Sequence, residues 1–242
     1  MRHYGLIGFP LSHSFSQKYF TEKFLRENIT NADFFNFSIP QIEDIQNIFA
    51  DTQLKGLAVT IPYKKSVIQY IDETDEIVLR TAACNCIKIV AGNKKGFNTD
   101  VVGFERSFVK NLKPNHTKAL VLGTGGASAA VEFVLQKLGI EYLMVSRKAS
   151  EHTITYNDIT ADLLHTHSII INCTPLGTYP GVTECPMLPY ELLDTSFYLF
   201  DLVYNPPLTK FLQYGRDKGC TIQNGYDMLV IQAEENWKIW NS

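Results

Sequence analysis

The stretch Ala119-Leu120-Val121-Leu122-Gly123-Thr124-Gly125-Gly126-Ala127 decides the fold. An apolar strand runs into a glycine cluster that opens a helical pattern over Ala127–Leu138. Gly123 permits a tight turn, and Gly125 removes a side chain where backbone must approach a pyrophosphate. The helix start supplies N–H groups and the positive end of a dipole. The last position of a strict G-x-G-x-x-G pattern is Ser128 here. A strand–helix turn without a ligand also accounts for glycines, but the strand before and the helix after point to a dinucleotide. Gly123, Thr124, Gly125, Gly126 and Ala127 are therefore candidate cofactor residues. An Asp or Glu about 20 residues after the first glycine would bind a free ribose hydroxyl. Ser146-Arg147-Lys148 stands near that address instead, with no acid beside it. Two cations and a hydroxyl suit a 2′-phosphate, because Arg pairs with it in a bidentate fork; the bland alternative is a solvated Arg–Lys pair. The reading favours NADP over NAD.

Outward from this stretch, short β-rich runs alternate with helical patterns. Strands are expected at Tyr4–Gly8, Phe34–Ile39, Gly56–Ile61 and Cys86–Val90, with helices over Ser16–Asn28, Ile42–Phe49 and Lys64–Ile71. A connecting helix over Asp100–Lys110 leads to Lys113-Pro114-Asn115-His116, the best linker candidate. Further strands are expected at Ala119–Gly123, Tyr142–Ser146, Ser168–Cys173, Tyr198–Val203 and Cys220–Ile222, before a long helix from Tyr226 to about Trp240. The order implies an α/β protein of two doubly wound units with largely parallel sheets and helices on both faces.

The 242 residues are 45% hydrophobic, 12% aromatic and only 19% charged, enough apolar material to bury a core in one large or two small domains. A net charge of −3 gives no basic field for nucleic acid. No apolar run approaches the roughly 18 residues of a membrane span. The N-terminal run is broken by Gly8 and Pro10, which makes it a first strand rather than a signal-peptide core. Five scattered cysteines, with Cys84 and Cys86 one residue apart, match no zinc spacing, so no metal is expected and free thiols in a reducing cytoplasm are.

Polar residues gather at the strand ends of the first unit, where a doubly wound sheet places its ligand crevice. Ser12-His13-Ser14-Phe15-Ser16 follows the first strand and Thr60-Ile61-Pro62-Tyr63-Lys64 the third; Asn85 starts another strand and Asp100 opens the connecting helix. Singly, Ser14, Ser16 and Asp100 could be helix caps and Lys64 a surface charge. Together they are hydroxyls, an amide, a cation and a carboxylate suited to hold a polyhydroxy carboxylate and move one proton.

In these residues the chain resembles the shikimate dehydrogenase family. Ser12–Ser16 is similar to its H-S-x-S segment, Gly56–Lys64 to its V-T-x-P-x-K block, Ala83–Cys86 to A-V-N-T, and Asn98–Gly103 to N-T-D-x-x-G. Gly123–Ala127 resembles the G-A-G-G-A loop and Ser146–Lys148 the N-R-T phosphate clasp. Asn172–Gly177 is similar to N-A-T-P-x-G, Asp201–Pro206 to D-x-x-Y-x-P, and Gly225–Gln232 to G-x-x-M-L-x-x-Q. The blocks occur in order over nearly the whole chain. Departures include Gln17 for the usual Pro, Ala58 for Asn or Ser, Thr124 for Ala, and Ser146 and Lys148 for the Asn and Thr of the clasp. The segment between Lys148 and Ser168 is short and lacks a later Arg.

The resemblance implies a substrate domain over 1–104 plus 225–242, a Rossmann-type NADP domain over 105–224, and a cleft between them. It implies reversible reduction of 3-dehydroshikimate to shikimate with NADPH, in the cytoplasm, within aromatic amino-acid biosynthesis. By resemblance Lys64 and Asp100 are the acid–base residues, with the principal one left open. Ser14 and Ser16 hold the substrate carboxylate; Thr60, Lys64, Asn85, Asp100, Tyr204 and Gln232 complete the substrate set. Leu202, Gly225 and Glu76 join the cofactor residues. A monomer or a homodimer fits equally. The rival readings are a quinate/shikimate dehydrogenase using NAD or NADP and a non-catalytic NADP-binding sensor. A hydrolase pairing Ser14 with His13 is disfavoured, because adjacent side chains point apart.

Overall fold

The computed structural model describes residues 1–11 and 14–242; Ser12 and His13, part of the first polar segment, lie outside the described residues. Cα packing divides the chain into Met1–Thr99 with Gln232–Ser242, and Asp100–Ile231. The expected boundaries at 104/105 and 224/225 fall inside one helix, Asp100–Phe108, and just ahead of another, Tyr226–Asn241.

The first unit contains β1 (Arg2–Gly8), α1 (Phe15–Arg26), β2 (Ala32–Ser38), α2 (Ile45–Phe49), β3 (Leu54–Val59), β4 (Glu73–Thr74), α3 (Glu76–Thr81), β5 (Cys86–Val90) and β6 (Asn93–Phe97). Its sheet runs β2-β1-β3-β5-β6-β4, with β5 antiparallel to both neighbours and the other pairs parallel. The period-2 alternation of strand side chains sorts the core into two layers. Ile7, Leu57, Val59 and Ile87 join Ile45, Ile48 and Val78 on one face. Tyr4, Leu6, Ala58 and Cys86 join Phe20, Phe24 and Trp240 on the other. Gly56 lies under the Trp240 indole, where any Cβ would overlap the ring, and Trp240 Nε1 donates to the Ile87 carbonyl at 3.0 Å. The C-terminal helix is thereby held against the sheet.

The second unit contains α4 (Asp100–Phe108), β7 (Lys118–Leu122), α5 (Ser128–Lys137), β8 (Glu141–Ser146), β9 (Thr153–Thr155), α6 (Ala161–Thr166), β10 (Ile169–Asn172), β11 (Tyr198–Asp201), α7 (Lys210–Asp217), β12 (Thr221–Gln223) and the first part of α8 (Tyr226–Asn241). Its sheet, β12-β11-β10-β7-β8-β9, is parallel at every pairing. Counted along the chain this is the 3-2-1-4-5-6 order of dinucleotide-binding sheets, with its switch point between β7 and β10.

Two sequence expectations change. Lys113–His116 is no linker but a turn inside the second unit. His116, buried at 3% exposure, meets the Ser196 carbonyl through Nε2 at 3.1 Å and stacks on Tyr198. The helix expected over Lys64–Ile71 is a 3₁₀ turn over Ser66–Tyr70. The Lys64 carbonyl, which an α-helix would give to the Ile68 N–H, accepts from Cys84 N at 2.7 Å instead, and Ile68 turns to Lys65. Helix α7 escapes the sequence pattern because Gly215 interrupts its two turns, yet Thr209 caps it and Phe211, Leu212 and Gly215 are buried.

Candidate active site

The antiparallel β5 begins at the edge where its parallel neighbours end, so residues distant in sequence meet there. Val59 N donates to the Asn85 carbonyl at 2.8 Å, and Asn85 N to Phe97 O at 3.0 Å. Thr60, Asn85 and Asn98 thus lie on successive strands of one edge. Lys64 reaches the same edge through its carbonyl, bonded to Cys84 N beside Asn85, and its side chain is half-buried. Ser14 is the N-cap of α1, its Oγ accepting from Gln17 N at 3.2 Å, and Ser16 is buried in the first turn. The capping role and the substrate role expected of Ser14 are compatible, since a hydroxyl oxygen has a second lone pair and a proton to give.

The centre of this edge is a ring of four buried polar side chains. Asn85 Oδ1 accepts from Thr99 N at 2.7 Å, and Thr99 Oγ1 donates to Asn236 Oδ1 at 2.6 Å. Asn236 Nδ2 and Asn85 Nδ2 both approach Gln232 Oε1, at 3.4 Å each. A backbone N–H can only donate, so Thr99 fixes the Asn85 amide and, through it, the Gln232 amide. Thr99 and Asn236 escaped the sequence reading. The available signal was helical spacing, because Asn236 follows Gln232 by one turn on the same face. Asp100, the residue after Thr99, is buried at the start of α4 in the second unit. Tyr204 is half-buried in the loop after β11, and burial pushes its phenol up.

In the second unit a cavity of about 440 Å³ opens at the switch point, between the loop after β7 and the one after β10. Gly123, Thr124 and Gly125 form one wall, Ser146 and Arg147 a second, and Thr174 with Pro175 a third. Gly123 adopts φ +97°, and a Cβ there would meet Thr174 Cγ2 at 2.8 Å. At Gly125 a Cβ would find no atom within 4 Å, so the cradle is one that a side chain would fill. Helix α5 follows with Ala127 at its N-cap, no side-chain cap and no acid in the first turn. Its leading N–H groups and dipole suit a phosphate, so the residues fit a dinucleotide.

Gly126 and Ala127 shape this turn without lining the cavity. Ser146 lines it, but its Oγ donates to the Lys148 carbonyl at 2.9 Å and accepts from Lys148 N at 3.2 Å, which holds the loop. Lys148 is exposed and is not among the lining residues. Leu202 and Gly225 are brought together: Gly225 N donates to Val203 O at 3.1 Å, and a Cβ on Gly225 would overlap the Leu202 carbonyl. Glu76 is the exposed first residue of α3 in the first unit, at a helix start where an acid is favourable.

Beneath these loops Asp201, fully buried, accepts from Asn172 Nδ2 at 2.9 Å, Val203 N at 3.0 Å and Thr209 Oγ1 at 2.6 Å. Asn172 Oδ1 in turn accepts from Thr174 N and Oγ1. The motif aspartate therefore ties the loops after β10 and β11 together. Burial outweighs the three hydrogen bonds and pushes its carboxyl from 3.8 up to about 6. The folded state then binds more protons than the unfolded state between these values. The stabilisation is fully present below 3.8 and is lost as pH rises through 6, a change of about 3 kcal/mol. Asp201→Asn keeps an oxygen for Val203 and Asn172 and can donate to Thr209. The difference in unfolding free energy between wild type and this variant, from urea titration, is expected to change by roughly that amount from pH 4 to 7; a constant difference would remove Asp201 as the titrating group.

The family model for the shikimate dehydrogenase substrate binding domain matches residues 6–87. A shikimate dehydrogenase (NADP(+)) of Ignicoccus hospitalis is 33% identical over 246 residues, covering 98% of this chain and 92% of the relative. One of Halothermothrix orenii is 31% identical over 275 residues, covering 98% and 89%. The crystal structure of a chorismate mutase/shikimate 5-dehydrogenase fusion protein from Clostridium acetobutylicum superposes with a TM-score of 0.88 at 33% identity, covering 100% of this chain and 91% of that one. With the sheet orders and loop positions above, these likenesses show that the chain belongs to the shikimate dehydrogenase family.

Proposed function

We propose that this protein is an NADP-dependent shikimate dehydrogenase that reversibly reduces 3-dehydroshikimate to shikimate, in the cytoplasm, as a step of aromatic amino-acid biosynthesis. The carrying observation is the buried ring Asn85–Thr99–Asn236–Gln232 beside Lys64, which holds the Asn85 and Gln232 carboxamides in one orientation at the end of a sheet. Residues 1–99 with 232–242 act as the substrate unit and 100–231 as the cofactor unit. No helix among the described residues is long and apolar enough to cross a membrane.

When bound, the nicotinamide supplies the hydride for the ketone carbon. Negative charge then develops on the ketone oxygen, and the Lys64 ammonium donates a proton to it; in the reverse direction the Lys64 amine takes the hydroxyl proton. Asp100 holds the ammonium and the adjacent substrate hydroxyl. Ser14 and Ser16 donate to the substrate carboxylate, and Tyr204 closes against it. Gln232 meets the ring with its oxygen, so it offers amide N–H to the ring hydroxyls together with Asn85 and Thr60. Leu202 and the Gly225 backbone border the nicotinamide.

The test is the absorbance of reduced nicotinamide when purified protein is given shikimate or quinate with NADP or NAD. Signal with shikimate and NADP is expected. Signal chiefly with quinate or NAD would move the assignment to the dual-specificity enzymes. Silence in all four pairs, from protein that still binds NADP, would leave a sensor.

A further inference from the structure

One wall of the cofactor cavity is a side chain that none of the sequence motifs contains. Tyr156 lines the cavity with Ser146 and Arg147. Its position follows from the register of β8 and β9, which pairs Ser146 with Thr155 and brings the next residue level with Arg147. A capping box locks the turn: Asp158 Oδ2 accepts from Thr155 N and Thr155 Oγ1, both at 2.7 Å. The ring packs against the apolar cluster that includes Val145 and Ile159. Burial raises the phenol, while the Arg147 guanidinium draws it down.

The hydroxyl of Tyr156 makes no hydrogen bond to the protein among the described residues, whereas Ser146 has spent its Oγ on Lys148. The cavity is therefore lined by Arg147 and Tyr156 at the carboxyl end of the second strand, and no acidic residue is among the described residues that line it. A ribose diol at this address requires an acceptor; a phosphate monoester requires donors.

We propose that the Tyr156 hydroxyl, together with Arg147, binds the 2′-phosphate of the cofactor's adenosine and sets the preference for NADP over NAD. This rests on the reading of the cavity as an NADP site. It also accounts for a clasp that lacks the later arginine, since the pairing of β9 with β8 brings a phenol beside Arg147.

The test is calorimetric binding of adenosine 2′,5′-bisphosphate and of AMP to wild type, Tyr156→Phe and Tyr156→Ala, with thermal unfolding as the fold control. Tyr156→Phe keeps the packed ring and is expected to bind the bisphosphate about tenfold more weakly, as for loss of one charge-assisted hydrogen bond, with AMP unchanged. Tyr156→Ala should weaken the bisphosphate at least as much. An unchanged bisphosphate affinity in Tyr156→Phe, or equal losses for both nucleotides, would overturn the role of the hydroxyl. Wild type that binds AMP as tightly as the bisphosphate would instead overturn the NADP reading, and this inference with it.

Discussion

Lys64→Ala is expected to lower turnover by roughly 10²–10⁴-fold, the range for removal of a positioned general acid–base group. Cofactor affinity should stay unchanged, because the cavity proposed for the dinucleotide is built from the second unit and Lys64 belongs to the first. The fold should survive as well. The Lys64 backbone carbonyl accepts from Cys84 N at 2.7 Å, and alanine preserves that bond. Single-turnover reduction of 3-dehydroshikimate, paired with NADPH binding followed by fluorescence, separates these effects. Near wild-type turnover in the variant would remove Lys64 from the chemistry and leave Asp100 as the principal acid–base group.

Gly125→Val is expected to abolish measurable NADP binding while leaving thermal stability within about 1 kcal/mol of wild type. The two halves of the prediction have one cause. A Cβ at Gly125 meets nothing within 4 Å and the backbone there has no positive φ, so the protein accommodates the branched side chain. The same methyls occupy the cradle in which a pyrophosphate would meet the N–H groups of α5. Gly123→Val should behave oppositely, losing stability, since its φ of +97° disfavours any side chain and Thr174 stands 2.8 Å from the Cβ position. Calorimetric NADP titration and thermal unfolding of both variants check this. Tight cofactor binding by Gly125→Val would show that the dinucleotide does not approach this turn.

The sequence carried the features whose cause is local. A strand, a glycine turn and a helix are encoded by neighbours, and so Gly123 and Gly125 could be assigned from Ala119–Ala127 alone. Lys64 and Asn85 were legible as residue types near strand ends, and Gln232, in the middle of α8, only through the resemblance of its block. The apparent linker at Lys113–His116 failed for a non-local reason: its Pro and Asn signal a turn, but the buried contacts of His116 with Ser196 and Tyr198 come from the start of β11 and the turn before it, some 80 residues away.

By itself, then, the sequence determined the α/β class, the glycine turn after β7 and the candidate polar residues near the strand ends, because chain periodicity and residue chemistry are local properties. Tertiary structure alone decided the 3-2-1-4-5-6 strand order, the 3₁₀ turn after Lys64 and the closed ring in which Thr99 and Asn236 orient Asn85 and Gln232. It also decided the arrival of Tyr156 beside Arg147. Each of these depends on a hydrogen bond or register between segments far apart in the chain, and a buried polar group takes its orientation from the partner that folding brings to it.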